Sequence, residues 1–282
     1  VRLAWVVVVA ACGRIDFDPQ TTTITSRSPR AISLGVSHAC AIDADSHLWC
    51  WGGDDVGEVG NGVSPYDQIP VQIGSDTWDS ISANGITVVQ SWTCGIKTDN
   101  TLWCWGYDNA GQLGLGTSGP PIGTPTQVGA AQWQQVSVGV NCNTCGIQQG
   151  GSLWCWGDWS GGICGGFLGN GDTGPALSPV EISPESWSDV AMGDAATCAI
   201  KADGTLWCWG INGRHELGDG TARRWITWCP NRSGPRPTGS GSRCTRPVAA
   251  GCAGTTSCGA GATAMSRRRA SRRPSRSCRG SS

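Results

Sequence analysis

The pentapeptide Leu-Trp-Cys-Trp-Gly stands four times in this chain of 282 residues, at positions 48–52, 102–106, 153–157 and 206–210. Its cysteines are spaced by 54, 51 and 53 residues. A period of that length, held that closely, describes a repeat protein in which one small unit recurs. Ten residues before each signature cysteine stands another: Cys40 before Cys50, Cys94 before Cys104, Cys145 before Cys155, Cys198 before Cys208. Turn-forming residues lie between the paired cysteines, for example Thr98-Asp99-Asn100 and Ala202-Asp203-Gly204. Short apolar runs flank them, and the segment reads as a β-hairpin. In a symmetric hairpin the two cysteines are opposed, with Cα atoms roughly 4.5–5.5 Å apart, within disulfide reach. Four disulfides of one kind are expected.

The signature strand is apolar on both faces. Leu48 and Cys50 point one way and Trp49 and Trp51 the other, so both sides must be covered. Small sheets stacked face to face as blades meet that demand, and the tryptophans are expected in the core. A glycine-rich turn follows the signature, clearest as Asn109-Ala110-Gly111-Gln112-Leu113-Gly114-Leu115-Gly116 and echoed from Asn212 to Gly220. Beyond it come a proline (Pro70, Pro125, Pro179) and, eight residues later, a tryptophan (Trp78, Trp133, Trp187).

Together these elements resemble the regulator of chromosome condensation repeat over residues ~31–224. The resemblance implies an all-β fold, a β-propeller of regulator-of-chromosome-condensation type, which is seven-bladed in that family. Here it is expected to be incomplete, at about four blades. The cysteine and tryptophan enrichment resembles exported bacterial versions. Repeat one departs most, losing Gln-Leu in Gly53-Asp54-Asp55-Val56-Gly57-Glu58-Val59-Gly60, and repeat three carries an insertion around residues 159–167.

Residues 1–12 fit a lipoprotein signal peptide: Arg2, an apolar run over 3–11, then Val9-Ala10-Ala11-Cys12, which resembles a lipobox with Cys12 as the lipidated residue. Gly13 after it favours, by resemblance, an outer-membrane lipoprotein of the bacterial cell envelope. Residues 13–30, rich in Thr, Ser and Pro, read as a flexible tether. Export agrees with paired cysteines, since disulfides persist outside the cytosol. Cys142 and Cys164 are extra and are expected to pair with each other. Cys142-Asn143-Thr144-Cys145 has a redox or zinc spacing but lacks the helix start or converging ligands either use requires.

Composition breaks after Arg224. Residues 225–282 hold eleven Arg and no Leu, Phe, Tyr, Asp, Glu, Lys, Gln or His. The 224 residues before them carry 9 basic and 21 acidic side chains. A frameshift is expected. Codons can be chosen for residues 255–263 that, regrouped by one position, encode Asp-Asp-Glu-Leu-Trp-Cys-Trp-Gly-Asp. The cysteine would fall at codon 260, 52 after Cys208 and in step with the period. On this reading residues 31–224 form four propeller repeats, the last incomplete, and residues 225–282 are an out-of-frame disordered tail.

For function, the sequence points to a non-catalytic binding scaffold for a protein or glycan partner, held at a membrane by its lipid anchor. The contact sites are expected in the variable loops 64–68, 118–123 and 160–171. No catalytic, metal or cofactor site is expected. The histidines His38, His47 and His215 occupy different places in the repeat, and Asp54-Asp55 is expected to be a solvated turn. An exported hydrolase or lyase is the alternative. A nucleotide-exchange or chromatin role, known in the family, is disfavoured because an acidic repeat region opposes phosphate binding; no nucleic acid is expected.

Overall fold

The computed structural model describes residues 29–62, 66–157, 168–171, 174–194 and 196–220, and the backbone of 227–232. All of these fall in the first of two compact units, Val1–Arg246. Cys12, Gly13, Cys164, the tether up to residue 28 and the tail from 233 lie outside the described residues.

Fourteen strands and no helix make up the described residues. They are β1 (Ala31–Leu34), β2 (His38–Ile42), β3 (His47–Gly53), β4 (Tyr66–Gly85), β5 (Ser91–Lys97), β6 (Thr101–Asp108), β7 (Gly119–Val138), β8 (Asn143–Gln148), β9 (Leu153–Gly157), β10 (Ala176–Ser183), β11 (Trp187–Met192), β12 (Ala196–Lys201), β13 (Leu206–Gly210) and β14 (Thr227–Arg232). Each pairs antiparallel with the next in sequence, except that the ladder breaks between β10 and β11. Strands β4 and β7 each run 20 residues and cross from one blade to the next. Thr77 of β4 still pairs with His47, whereas Trp78 pairs with Lys97. Gln132 and Trp133 make the same handover in β7. The result is four blades of four strands. Blade 1 ends at Thr77, blade 2 runs from Trp78 to Gln132, blade 3 from Trp133 to β10, and blade 4 is β11–β14.

The local chemistry accounts for this. In each hairpin the two cysteines are opposed in register and bonded, with Cα atoms 4.0–4.1 Å apart, in the pairs Cys40–Cys50, Cys94–Cys104, Cys145–Cys155 and Cys198–Cys208. The fourth strand of each blade is an edge. There a proline can sit without breaking a ladder, because its missing N–H faces away from the sheet. The residue after that proline lies opposite the second cysteine in every blade: Val71 and Cys50, Thr126 and Cys104, Val180 and Cys155, Asn231 and Cys208. The last of these corrects the expected boundary. Residues 227–232 lie beyond the break in composition, yet Cys229-Pro230-Asn231 repeats the proline and supplies the fourth strand of blade 4.

Blades meet through two unlike faces. The face of Leu48, Cys40 and Cys50 in blade 1 packs against Trp78 and Trp105 of blade 2. Leu102 and the Cys94–Cys104 bridge share a core with Trp133 and Trp156, and Leu153 and the Cys145–Cys155 bridge share it with Trp187 and Trp209. Within the indole face Trp78 meets Trp105 edge-on at 5.7 Å, and Trp133 meets Trp156 at 5.6 Å. Each buried indole removes roughly 150–250 Å² from water, about 4–6 kcal/mol before ordering entropy opposes it. In blades 2 to 4 the first tryptophan of the signature is less enclosed, Trp103, Trp154 and Trp207 being half-buried, whereas in blade 1 Trp49 is buried and Trp51 half-buried; this narrows the expectation that all would be core.

A row of serines ties the first strands of adjacent blades together. Ser33 Oγ accepts the Ala83 N–H at 2.9 Å, Ser82 Oγ the Val138 N–H at 3.0 Å, and Ser137 Oγ the Met192 N–H at 3.1 Å. In blade 4 the equivalent residue, opposite Cys198, is Ala191.

Candidate functional site

The loop after each signature has one construction. Asp54 Oδ1 accepts the Val59 N–H at 2.9 Å, Asp108 Oδ1 the Leu113 N–H at 3.2 Å, and Asn212 Oδ1 the Leu217 N–H at 3.1 Å. Glu58, Gln112 and Glu216 each cap the amide two residues back. The loop carbonyls then receive the next blade. Trp105 Nε1 donates to Glu58 O at 2.9 Å and Trp156 Nε1 to Gln112 O at 3.0 Å. The hydroxyls of Thr93 and Thr144 donate to the same two oxygens, each at 2.9 Å. In blade 3 Leu168 O takes the Trp209 N–H at 3.1 Å. Glycine is required where the indole crosses: a Cβ on Gly114, at φ +74°, would lie 2.6 Å from Trp156 Nε1. These loops are sockets for the neighbouring blade.

That construction overturns the solvated reading of Asp54-Asp55. Asp55 is exposed but Asp54 is fully buried. Burial pushes the Asp54 carboxyl up to about 6 against the hydrogen bond from Val59, and the Glu58, Asp67 and Asp55 charges add to the rise. Burial likewise raises Asp108 to about 6 and raises Glu58. The sequence did carry a signal for this: Asp54, Asp108 and Asn212 share one offset from the signature.

The histidines are in separate settings. His38 is buried in β2, with Nε2 2.7 Å from Thr93 Oγ1. Because the Thr93 hydrogen goes to Glu58 O, His38 must donate from Nε2, so it does not act as a base toward that hydroxyl. Burial holds it neutral by lowering its pKa to about 4. His47 opens β3, and His215 stands at φ +66° in the blade 4 loop where blades 1 and 2 have glycine.

At the opposite end are the hairpin tips. Asp43, Asp45 and His47 bring ligand-type atoms within 4.8 Å of one another. Their arrangement is that of a turn cap. Asp43 Oδ1 accepts the Asp45 and His47 amides, each at 2.9 Å, and Oδ2 accepts Trp49 Nε1 at 3.0 Å. Burial acts to raise the Asp43 carboxyl, but these donors and the His47 charge hold it below the usual range. In blades 2 and 4 the tip is closed by lysines on indoles. Lys97 lies 3.5 Å from the Trp103 ring centroid and bonds Asp76 at 2.8 Å; Lys201 lies 4.1 Å from Trp207 and pairs with Glu185.

Cys142 is disulfide-bonded, and Cys164, its expected partner, lies outside the described residues. Since Cys145 is bonded to Cys155, the Cys142–Cys145 spacing does not form a redox pair. The expected contact loops change character. Residues 66–68 begin β4 and 119–123 begin β7, because pairing with Gly53 and Asp108 extends those strands. Residues 160–167 lie outside the described residues. The sequence did not single out another surface. Val36 in the β1–β2 loop and Val88 and Val89 in the β4–β5 loop are exposed, as is Tyr66. All lie at the socket end, where the Gly53 N–H bonds Ser37 O at 2.9 Å and Tyr66 pairs with Gly53.

Comparison with known proteins agrees with this geometry. Two family profiles, both described as Regulator of chromosome condensation (RCC1) repeat, match residues 30–58 and 187–216, and residues 99–145. The chain is 27% identical over 197 residues to the Ultraviolet-B receptor UVR8 of Arabidopsis thaliana, covering 68% of this chain and 43% of that protein. It is 27% identical over 232 residues to the mitochondrial RCC1 domain-containing protein RUG3 of the same plant, covering 75% and 50%. The chain thus spans about half the length of these curated relatives. Among solved structures, human WBSCR16 superposes with a TM-score of 0.62 at 19% identity, covering 74% of this chain and 54% of that one. Prp20p of Saccharomyces cerevisiae gives 0.59 at 18%, covering 74% and 50%. These two likenesses bear on the fold alone. The recurring sockets and cystine hairpins thus coincide with segments, residues 30–58, 99–145 and 187–216, that match the regulator of chromosome condensation repeat.

Proposed function

We propose that this protein is a non-catalytic propeller scaffold that holds a protein partner at its socket end and is tethered to a cell envelope through a lipid on Cys12. One observation carries the reading: Val36, Val88, Val89 and Tyr66 are exposed together at that end. Water-facing aliphatic groups grouped on one surface are a mark of protein contact. The opposite end presents hairpin tips whose acids and lysines are already engaged, Asp99 and Asp203 by the threonines two residues on, Lys97 by Asp76 of the preceding blade and Lys201 by Glu185 of the linker before β11. Prp20p, which shares the fold, is described with binding to Gsp1p and histones; the fold lends itself to holding proteins, while the partner here follows from its own loops. The aliphatic character of the patch favours protein over glycan. Among the described residues no histidine stands beside a free nucleophile, which favours binding over hydrolysis.

A photo-crosslinking residue at Val88, compared with one at Thr98 on a hairpin tip, tests the reading in cells that make the protein. Protein adducts are expected from Val88 alone. Adducts to glycan, or equal yields from both sites, would overturn it. Palmitate labelling that survives Cys12→Ala would remove the anchor from the proposal.

A further inference from the structure

The two terminal blades of the described residues each leave one face open, and the two faces are of the two kinds that mate elsewhere in the chain. Leu48, Leu102 and Leu153 are all 0% exposed beneath the indole face of the following blade. Leu206, at the same place in blade 4, is 41% exposed. At the other end, Val136 and Val190 are buried, and so are Ala83 and Val138. Their equivalents by register in blade 1 are Ile32, opposite Ala41, and Leu34, opposite Ala39; these are 63% and 67% exposed. Blade 4 therefore shows an unfilled cystine–leucine face, and blade 1 an unfilled aliphatic–indole face. The blade 4 socket is formed as the others are, and a Cβ on its Gly218 would meet nothing within 4 Å, whereas one on Gly114 would strike an indole.

We infer that this chain associates head to tail with a second copy of itself, the open face of blade 4 in one copy receiving the open face of blade 1 in the next. The three junctions inside the chain are the template, and the new contact continues their series. Residues 233–282 contain no Trp, Leu, Ile, Phe or Tyr from which an indole face could be built. A second copy supplies most of it, with Ile32, Leu34 and Trp51 in the places of Ile81, Ala83 and Trp105, while Pro29 stands where Trp78 precedes Ile81 by three. The new junction lacks two bonds of the internal ones. Ala191 has no hydroxyl to accept a neighbour's N–H, and Ala39 stands where Thr93 and Thr144 donate to the socket carbonyl. Association is thus weaker than an internal junction, and it is heterologous, so each copy uses two different surfaces.

Sedimentation velocity on the full-length, oxidised chain tests this. The wild type is expected to gain mass as concentration rises. Leu206→Glu and Leu34→Glu should each sediment as a single chain, since each spoils one half of every contact. Mixed together they should form a pair and nothing larger, because one retains a sound blade 1 face and the other a sound blade 4 face. That complementation also shows that both variants fold. Ala191→Ser should tighten wild-type association about fivefold by restoring one hydrogen bond. A wild type that stays single at all concentrations, as it would if residues 1–28 or a further blade covered the faces, overturns the inference. So does a mixture that fails to pair, or a single variant that still associates.

Discussion

Replacing Trp156 by phenylalanine tests whether blades are held by the indole N–H as well as by apolar bulk. Trp156 is fully buried, donates to Gln112 O at 3.0 Å across the blade 2–3 junction, and meets Trp133 edge-on at 5.6 Å. Phenylalanine keeps an aromatic ring but removes the donor and part of the volume. The lost hydrogen bond costs about 1 kcal/mol, at the low end because Thr144 still satisfies the Gln112 carbonyl. The cavity adds roughly 1–2 kcal/mol, less than full truncation of a buried aromatic. A total of about 2–3 kcal/mol is expected from urea denaturation of the oxidised chain. The control is Trp154→Phe in the same strand. That indole is half-buried and bonds only Ser152, two residues away, at 2.9 Å, so its loss should cost about 1 kcal/mol. Equal midpoints for the two variants would refute the junction role.

Gly114→Ala should destabilise by about 2–4 kcal/mol, combining left-handed backbone cost with overpacking against Trp156, whereas Gly218→Ala should show only the backbone part, about 1–2 kcal/mol; thermal melts compare them. Asp54 and Asp108, raised to about 6, contribute stability that is fully present below their unfolded value of 3.8 and lost as pH rises toward 6. His38, lowered to about 4, works oppositely: its contribution, present above 6.5, is lost as pH falls toward 4. The carboxyls outnumber it, so denaturation midpoints should fall between pH 4 and 6, and Asp108→Asn, which copies Asn212, should flatten that fall. Replacing both Cys145 and Cys155 by serine should cost about 2–3 kcal/mol for a loop of this length, and denaturation under non-reducing conditions measures it.

Some of this architecture is local and could be read from the chain. The hairpins, their opposed cysteines and the strand character of the signature depend on residues within ten positions of one another, where alternation and turn chemistry decide the outcome. The loops resisted because their partners are remote. Asp54 reads as a turn acid until its loop is seen closed beneath Trp105, and residues 119–123 read as loop until Asp108 pairs with Gly119. Residues 227–232 resisted for another reason: composition marks them as foreign, but an edge strand asks only for extended backbone, and Pro230 fits where a missing N–H is tolerated.

From sequence alone came a unit, its period and its covalent staple, because those rest on spacing along the chain. Tertiary structure alone decided which carboxyl is buried, which glycine must yield to an indole, and which leucine of four is left facing water. Each of those outcomes depends on whether a neighbouring blade, some fifty residues away in the period of 51–54, is there to meet it.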